Sequence, residues 1–319
     1  MKLRDTDYLY ATMKIRANEK KLLTPSETDR MVEARSFEEA SKILFDAGYG
    51  KSPAQTFRDV ENAVDEALID TLLTVSEATE NDHIKNVFLL KYDFHNIKVL
   101  LKASFCEKDF SHLLSDVSVF PQKKLVGAVF DDNLSDLPEA MAEAIVKARE
   151  VLAATRNAEL SDTVLDIACF QMMMSSAKES GSEFLVGYVK LLSSAFNLRL
   201  KARCIRRGDE EYESKKLPYK TEDESLLKTA VELSEKVAQG AAEFWELERE
   251  IDIAVLKYMS AAKYAAFDET PVVAYLALRD IDATVVRIIM TGKLLGHSPE
   301  QICRTLGSNT RSAEFINSY

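Results

Sequence analysis

Apolar residues recur along most of this chain at steps of three and four, the spacing that gathers them on one face of an α-helix. Val87, Leu90, Phe94, Ile97 and Leu101 form one such stripe. Residues 184–206 and 272–295 carry the same period and predict two more long helices. Phe37 to Ala47 reads as a shorter one. Helix starts are also written in the sequence. Thr24-Pro25-Ser26-Glu27, Ser52-Pro53-Ala54-Gln55 and Ser298-Pro299-Glu300-Gln301 each place a hydroxyl cap before Pro and a carboxylate or amide three residues on. That arrangement satisfies the free amides of a first helical turn, where Pro loses nothing. Ser36-Phe37-Glu38-Glu39 and Thr221-Glu222-Asp223-Glu224 repeat it without Pro. Only Val117–Phe120 and Leu125–Phe130 look extended, both inside a predicted loop. The expectation is an all-α chain.

The three strongest helices share a local pattern. Asn96-Ile97-Lys98, Asn197-Leu198-Arg199 and Val285-Val286-Arg287 each set a basic residue after an apolar one. The basic residues are spaced 101 and 88 residues apart, about a third of the chain. The first two helices are followed by a polar loop and an apolar-Pro pair, Phe120-Pro121 and Leu217-Pro218. Repeats at this period predict three similar helical bundles rather than a short-period solenoid. We place them at residues 1–110, 111–210 and 211–319, with boundaries in the loops Cys106–Asn133 and Arg206–Asp223.

Composition narrows the function classes. Only 10 Gly and 7 Pro in 319 residues argue against a hairpin-rich β-protein. A net charge of −11 disfavours nucleic acid and anionic lipid as direct partners, while leaving basic protein surfaces open. Cys106, Cys169, Cys204 and Cys303 are scattered without a CxxC pair, which predicts reduced, mostly structural thiols and a cytosolic setting. Met1–Asp7 carries two basic and two acidic residues and does not read as a signal segment. No apolar run approaches the ~20 residues that cross a bilayer, so work at a membrane would need another protein as tether.

Candidate chemistry is sparse. Gly48-Tyr49-Gly50-Lys51-Ser52 imitates a phosphate-binding loop, but Phe45 stands where the motif needs its first Gly. A helix rather than a strand precedes it, and Pro53 removes one amide from the next helix. Thr291-Gly292-Lys293 fails for the same reasons. Asp93 and His95 lie two apart and point to different helix faces, and His83, His112 and His297 make no metal-ligand spacing. Met172-Met173-Met174 spans most of a turn, so one or two of the three belong to a core. No catalytic, cofactor or metal site is expected. The informative feature is electrostatic: Lys91, His95, Lys98 and Lys102 run down one helix face, and Arg199, Arg203 and Arg206 repeat the arrangement. A solvated face with ion pairs inside each domain is the favoured reading, and a partner-binding stripe is the alternative.

The chain opens with Tyr8-Leu9-Tyr10, Lys14, Arg16, Glu19 and Leu22-Leu23, followed by Phe37-Glu38-Glu39-Ala40 and Gly48-Tyr49-Gly50. Tyr92-Asp93-Phe94-His95-Asn96-Ile97-Lys98 is the most specific stretch. Tyr275, Arg279-Asp280-Ile281-Asp282-Ala283, Arg287-Ile288-Ile289 and Gly292-Lys293 form a closing block. In these stretches the chain resembles the C-subunit family of V/A-type rotary ATPases, whose eukaryotic members are the d subunits, with Asp282 standing where Glu is expected. The resemblance implies three similar helical domains in a pseudo-threefold, funnel-like array. It implies a non-catalytic rotor part that joins the central-shaft subunits (D/F type) to the membrane proteolipid ring, for proton or sodium transport linked to ATP hydrolysis or synthesis. Membrane contact would be indirect, through the ring, on the cytoplasmic side. A helical adaptor unrelated to rotary motors is the main rival, and a helical enzyme, lacking a nucleophile, metal or phosphate constellation, is the next.

Overall fold

The structure, a computed structural model, describes residues 8–209 and 212–306. The reading of Met1–Asp7 lies outside these residues. Among the described residues every regular element is helical, in agreement with the all-α expectation. The opening segment holds α1 (Leu9–Asn18), α2 (Pro25–Glu33), α3 (Phe37–Asp46) and α4 (Phe57–Ala78). Next come α5 (Asp82–Cys106), α6 (Gln122–Phe130), α7 (Glu139–Thr155) and α8 (Ala158–Glu179). The last segment contains α9 (Glu183–Arg207), α10 (Tyr212–Lys215), α11 (Lys228–Ala238), α12 (Phe244–Met259), α13 (Thr270–Leu294) and α14 (Pro299–Leu306).

The chain forms two compact units, one from residues before Asp82 together with those from Lys190 onward, the other from Asp82 to Val189. In the second unit α5 packs along α8, and α8 along α7, with α6 laid against α5. Val87, Leu90, Phe94, Ile97 and Leu101, the predicted stripe, are all buried there. Each such side chain contributes about 1.5–3 kcal/mol by leaving water. Phe88 adds an aromatic stack on Tyr188, with ring centroids 5.6 Å apart. In the first unit α13 packs against α1, α3, α4 and α14, while α11 and α12 pair with each other. Thr270 to Arg279 are buried at every position, with the apolar run Pro271–Leu278 between a polar and a charged end, as an internal helix requires.

Helix starts follow the sequence in part. Thr24 and Glu27 form the reciprocal capping box of α2. Ser298 and Gln301 do the same for α14, with Gln301 Oε1 accepting from the Ser298 amide at 2.8 Å. Ser36 caps α3 through its hydroxyl, but Glu39 reaches one residue further back, to the Arg35 amide. Ser52–Gln55 starts no helix: α4 begins four residues later, where Thr56 and Asp59 build a capping box. Thr221 likewise yields to Asp223, which caps a 3-10 turn at Glu224–Leu227. Leu125–Phe130 is not extended but forms most of α6. Its Leu125, Ala128 and Val129 sit at helical spacing and are buried together, and that packing overrides the β-branched run.

Candidate interface site

Three helices of 25 residues, α5, α9 and α13, carry the repeat, and each does the same two jobs. The first is an ion pair to a neighbouring helix. On α5, Lys98 meets Asp166 of α8 at 2.6 Å and Lys102 meets Asp162 at 2.7 Å. On α9, Arg199 meets Glu248 of α12 at 2.7 Å. On α13, Arg287 meets Glu61 at 2.9 Å and Asp65 at 3.4 Å, both on α4. These pairs are partly buried and join two helices of one unit.

The second job is to hold an irregular segment. Five residues before each basic residue stand Asp93, Ser194 and Asp282. The Asp93 carboxylate accepts from the Val119 and Phe120 amides, both at 3.0 Å. Ser194 Oγ accepts from the Thr221 amide at 2.9 Å, and Asp282 Oδ2 from the Leu23 amide at 3.0 Å. Asn96 and Asn197 add a second hold of one design. The Asn96 amide donates to the Ser115 carbonyl at 3.0 Å and accepts from its N–H at 2.9 Å. Asn197 makes both bonds to Leu217, each at 2.9 Å. A carboxamide pairing with one residue's backbone in this way satisfies a donor and an acceptor that would otherwise be stranded. On α13 the corresponding segment comes from the start of the chain, where Arg279 also donates to the Lys21 carbonyl at 2.7 Å. Burial pushes the Asp93 carboxyl up to about 6, against the opposing pull of its two amide donors.

The basic stripes are therefore divided. Lys98, Lys102 and Arg199 are engaged in ion pairs inside their own units. His95 is exposed with Nε2 at 3.1 Å from the Leu113 carbonyl, and the Lys91 ammonium lies 4.8 Å over the Tyr92 ring. Arg203 and Arg206 are exposed and line an open cleft of about 440 Å³ with Arg207, Phe244 and Glu248. Arg203 stands 5.7 Å from the centre of the Phe244 ring, within cation–π range. Periodicity on α9 located Arg203 and Arg206. Phe244 and Glu248, well downstream on α12, carried no signal that would bring them to α9.

The motif look-alikes have structural occupations. Gly50 adopts φ +77° between α3 and α4, Lys51 pairs with Glu66 at 2.9 Å, and the buried Tyr49 hydroxyl accepts from Arg279 at 3.1 Å. A Cβ on Gly292 would lie 2.7 Å from Ile302, so this Gly lets α14 approach α13. Lys293 caps the end of α2 by donating to the Val32 and Ala34 carbonyls. Met173 and Met174 are core, within the one or two of the three that were expected. None of the four cysteines is in a disulfide; Cys169 and Cys204 are buried, Cys106 and Cys303 exposed. Among the described residues no group of His, Cys, Asp or Glu is arranged to hold a metal ion, and no helix is long and apolar enough to cross a membrane.

The family described as ATP synthase (C/AC39) subunit matches residues 11–304. The chain is 22% identical over 315 residues to the C subunit of the V-type sodium ATPase of Enterococcus hirae, covering 90% of this chain and 94% of that protein. It is 30% identical over 106 residues to the C subunit of the A-type ATP synthase of Methanocaldococcus jannaschii, covering 31% of this chain and 27% of that one.

Proposed function

Because the chain belongs to the ATP synthase (C/AC39) subunit family, we propose that it is a non-catalytic subunit of a V/A-type rotary ATPase, seated between the central shaft and the membrane ring. The observation that carries this reading is the extent of the match, which takes in nearly the whole chain and nearly the whole of the E. hirae protein. The structure supports it physically. A part that transmits torque must resist deformation, and close-packed helices pinned by repeated ion pairs and loop clamps give that stiffness. In this role the three 25-residue helices organise three similar bundles, and the chain joins D/F-type shaft subunits to the proteolipid ring on the cytoplasmic side. Of the basic stripes, Lys98, Lys102 and Arg199 then stiffen the bundles, and Arg203 and Arg206 are offered to a partner.

The test is purification. An affinity-tagged chain drawn from detergent-solubilised membranes is expected to bring the ATPase head and ring with it in fixed proportion. Recovery of the tagged chain only from the soluble fraction, with none of the other ATPase components attached, sinks the proposal.

A further inference from the structure

Residues 107–120, between α5 and α6, are strapped to α5 by polar contacts more than by a core. Val117 is buried, and the other side chains are exposed or half-buried. Asp93 accepts from the Val119 and Phe120 amides, Asn96 pairs with the Ser115 backbone, and His95 Nε2 meets the Leu113 carbonyl. These side chains, within about one turn of α5, hold the strap along its length. The matching segment after α9 has uncharged holds on its backbone. There Ser193 donates to the Tyr219 carbonyl at 3.0 Å, Ser194 accepts from the Thr221 amide, and Asn197 pairs with Leu217. On α13 the aspartate at the matching position, Asp282, has Arg279 at 3.7 Å. The α5 strap differs from both: its hold is a buried carboxylate with no cation among its partners in the described residues.

The charged groups around Asp93 are engaged elsewhere. On α5, Lys98 pairs with Asp166 of α8, Lys91 lies over Tyr92, and His95 is turned to Leu113. The Cys169 thiol of α8 faces the same interior and stays neutral, since burial pushes it up to about 12. Within the strap, Asp109 accepts from the Ser111 amide with His112 beside it, and Asp116 accepts from Gln122. On α6, Lys124 lies toward Asp136 and Lys123 is exposed, while the buried face of α7 is apolar. We propose that Asp93 makes residues 107–120 a proton-dependent strap, closed on α5 while the carboxyl is protonated and loosened locally once it ionises. A buried carboxylate without a counter-charge is costly, and lifting the strap returns it to water. The closed strap keeps the proton up to about pH 6, whereas an open one releases it near the ordinary 3.8. Opening therefore sheds a proton inside that window, and the opening constant rises about tenfold per pH unit there before levelling off.

Amide hydrogen exchange of the full-length chain across this pH range reads the opening residue by residue. Exchange through brief openings already follows hydroxide, about tenfold per pH unit, at any amide. The Val119 and Phe120 amides should gain about a further tenfold per unit through the window, about 100-fold in all, and nothing more above it. Two reference amides should follow hydroxide alone: Leu165, buried on α8 in the same unit, and Leu217, held by Asn197 in the other. Asp93→Asn, which cannot ionise, should remove the extra gain. Asn96→Ala should speed Val119 and Phe120 about tenfold or more at every pH and keep the extra gain, because it weakens the strap without touching the carboxyl. An extra gain of equal size at Leu165 means that the unit unfolds as a whole, which overturns the proposal. So does a Val119 and Phe120 response that follows hydroxide alone, or an Asp93→Asn chain that keeps the extra gain.

Discussion

Asp93 shows how a single side chain can be both a fastener and a liability. It is fully buried and faces two backbone amides, with no cation among its hydrogen-bond partners. Its folded carboxyl holds a proton up to about pH 6, while the unfolded chain releases it near the ordinary 3.8. The folded state therefore binds the extra proton between those values, and stability from this group falls as pH rises through the window. Asp93→Asn cannot ionise, and it gives up one of the two amide contacts because its NH2 group cannot accept. Urea denaturation from pH 4 to 6.5 should show the wild type losing on the order of 1–3 kcal/mol relative to Asp93→Asn as pH increases. A difference that stays constant with pH would mean the carboxyl titrates as it does in water. Asp282, the shorter residue found where the family resemblance suggested Glu, reaches the Leu23 amide at 3.0 Å and lies 3.7 Å from the buried Arg279. Its length suits that contact.

At the level of elements, Asn96 and Asn197 test whether the repeat is physical. Each fixes both backbone polar groups of one residue to the face of a 25-residue helix. Replacing either with Ala strands a buried donor and acceptor, and should cost about 1–3 kcal/mol of stability. Thermal or urea unfolding of Asn96→Ala and Asn197→Ala should give similar losses; one severe and one negligible loss would show that the two holds are not equivalent. The long helices were legible where burial repeats every three or four residues over about seven turns, as on α5. Short elements were not. Thr56 lies four residues beyond the Ser52 signal, and a local cap pattern cannot say which of two nearby hydroxyls the tertiary packing will use. In α6 a β-branched and aromatic run became helical because Leu125 and Val129 pack as a helical face. The five-residue offset linking Asp93, Ser194 and Asp282 to a basic residue is present in the sequence. It acquires meaning only once each side chain is seen holding a distant loop. The ion pairs were foreseen in kind, but their acidic partners, 49 to 226 residues away, were not.

Across the whole molecule, the family match and the helical architecture bear on a mechanical role, in which rigidity and two partner surfaces count for more than a reactive pocket. The Arg279 node illustrates the scale of that integration. One guanidinium bonds the Lys21 carbonyl, the Tyr49 hydroxyl and the Thr71 hydroxyl, tying α13 to three separate stretches of the opening segment. The most direct measurement of the proposed role is therefore coupling itself. ATPase assembled in vesicles without this chain should hydrolyse ATP but drive little ion transport, and adding the purified chain should restore transport in step with its binding. Full ATP-driven transport in vesicles that lack the chain would contradict the proposal.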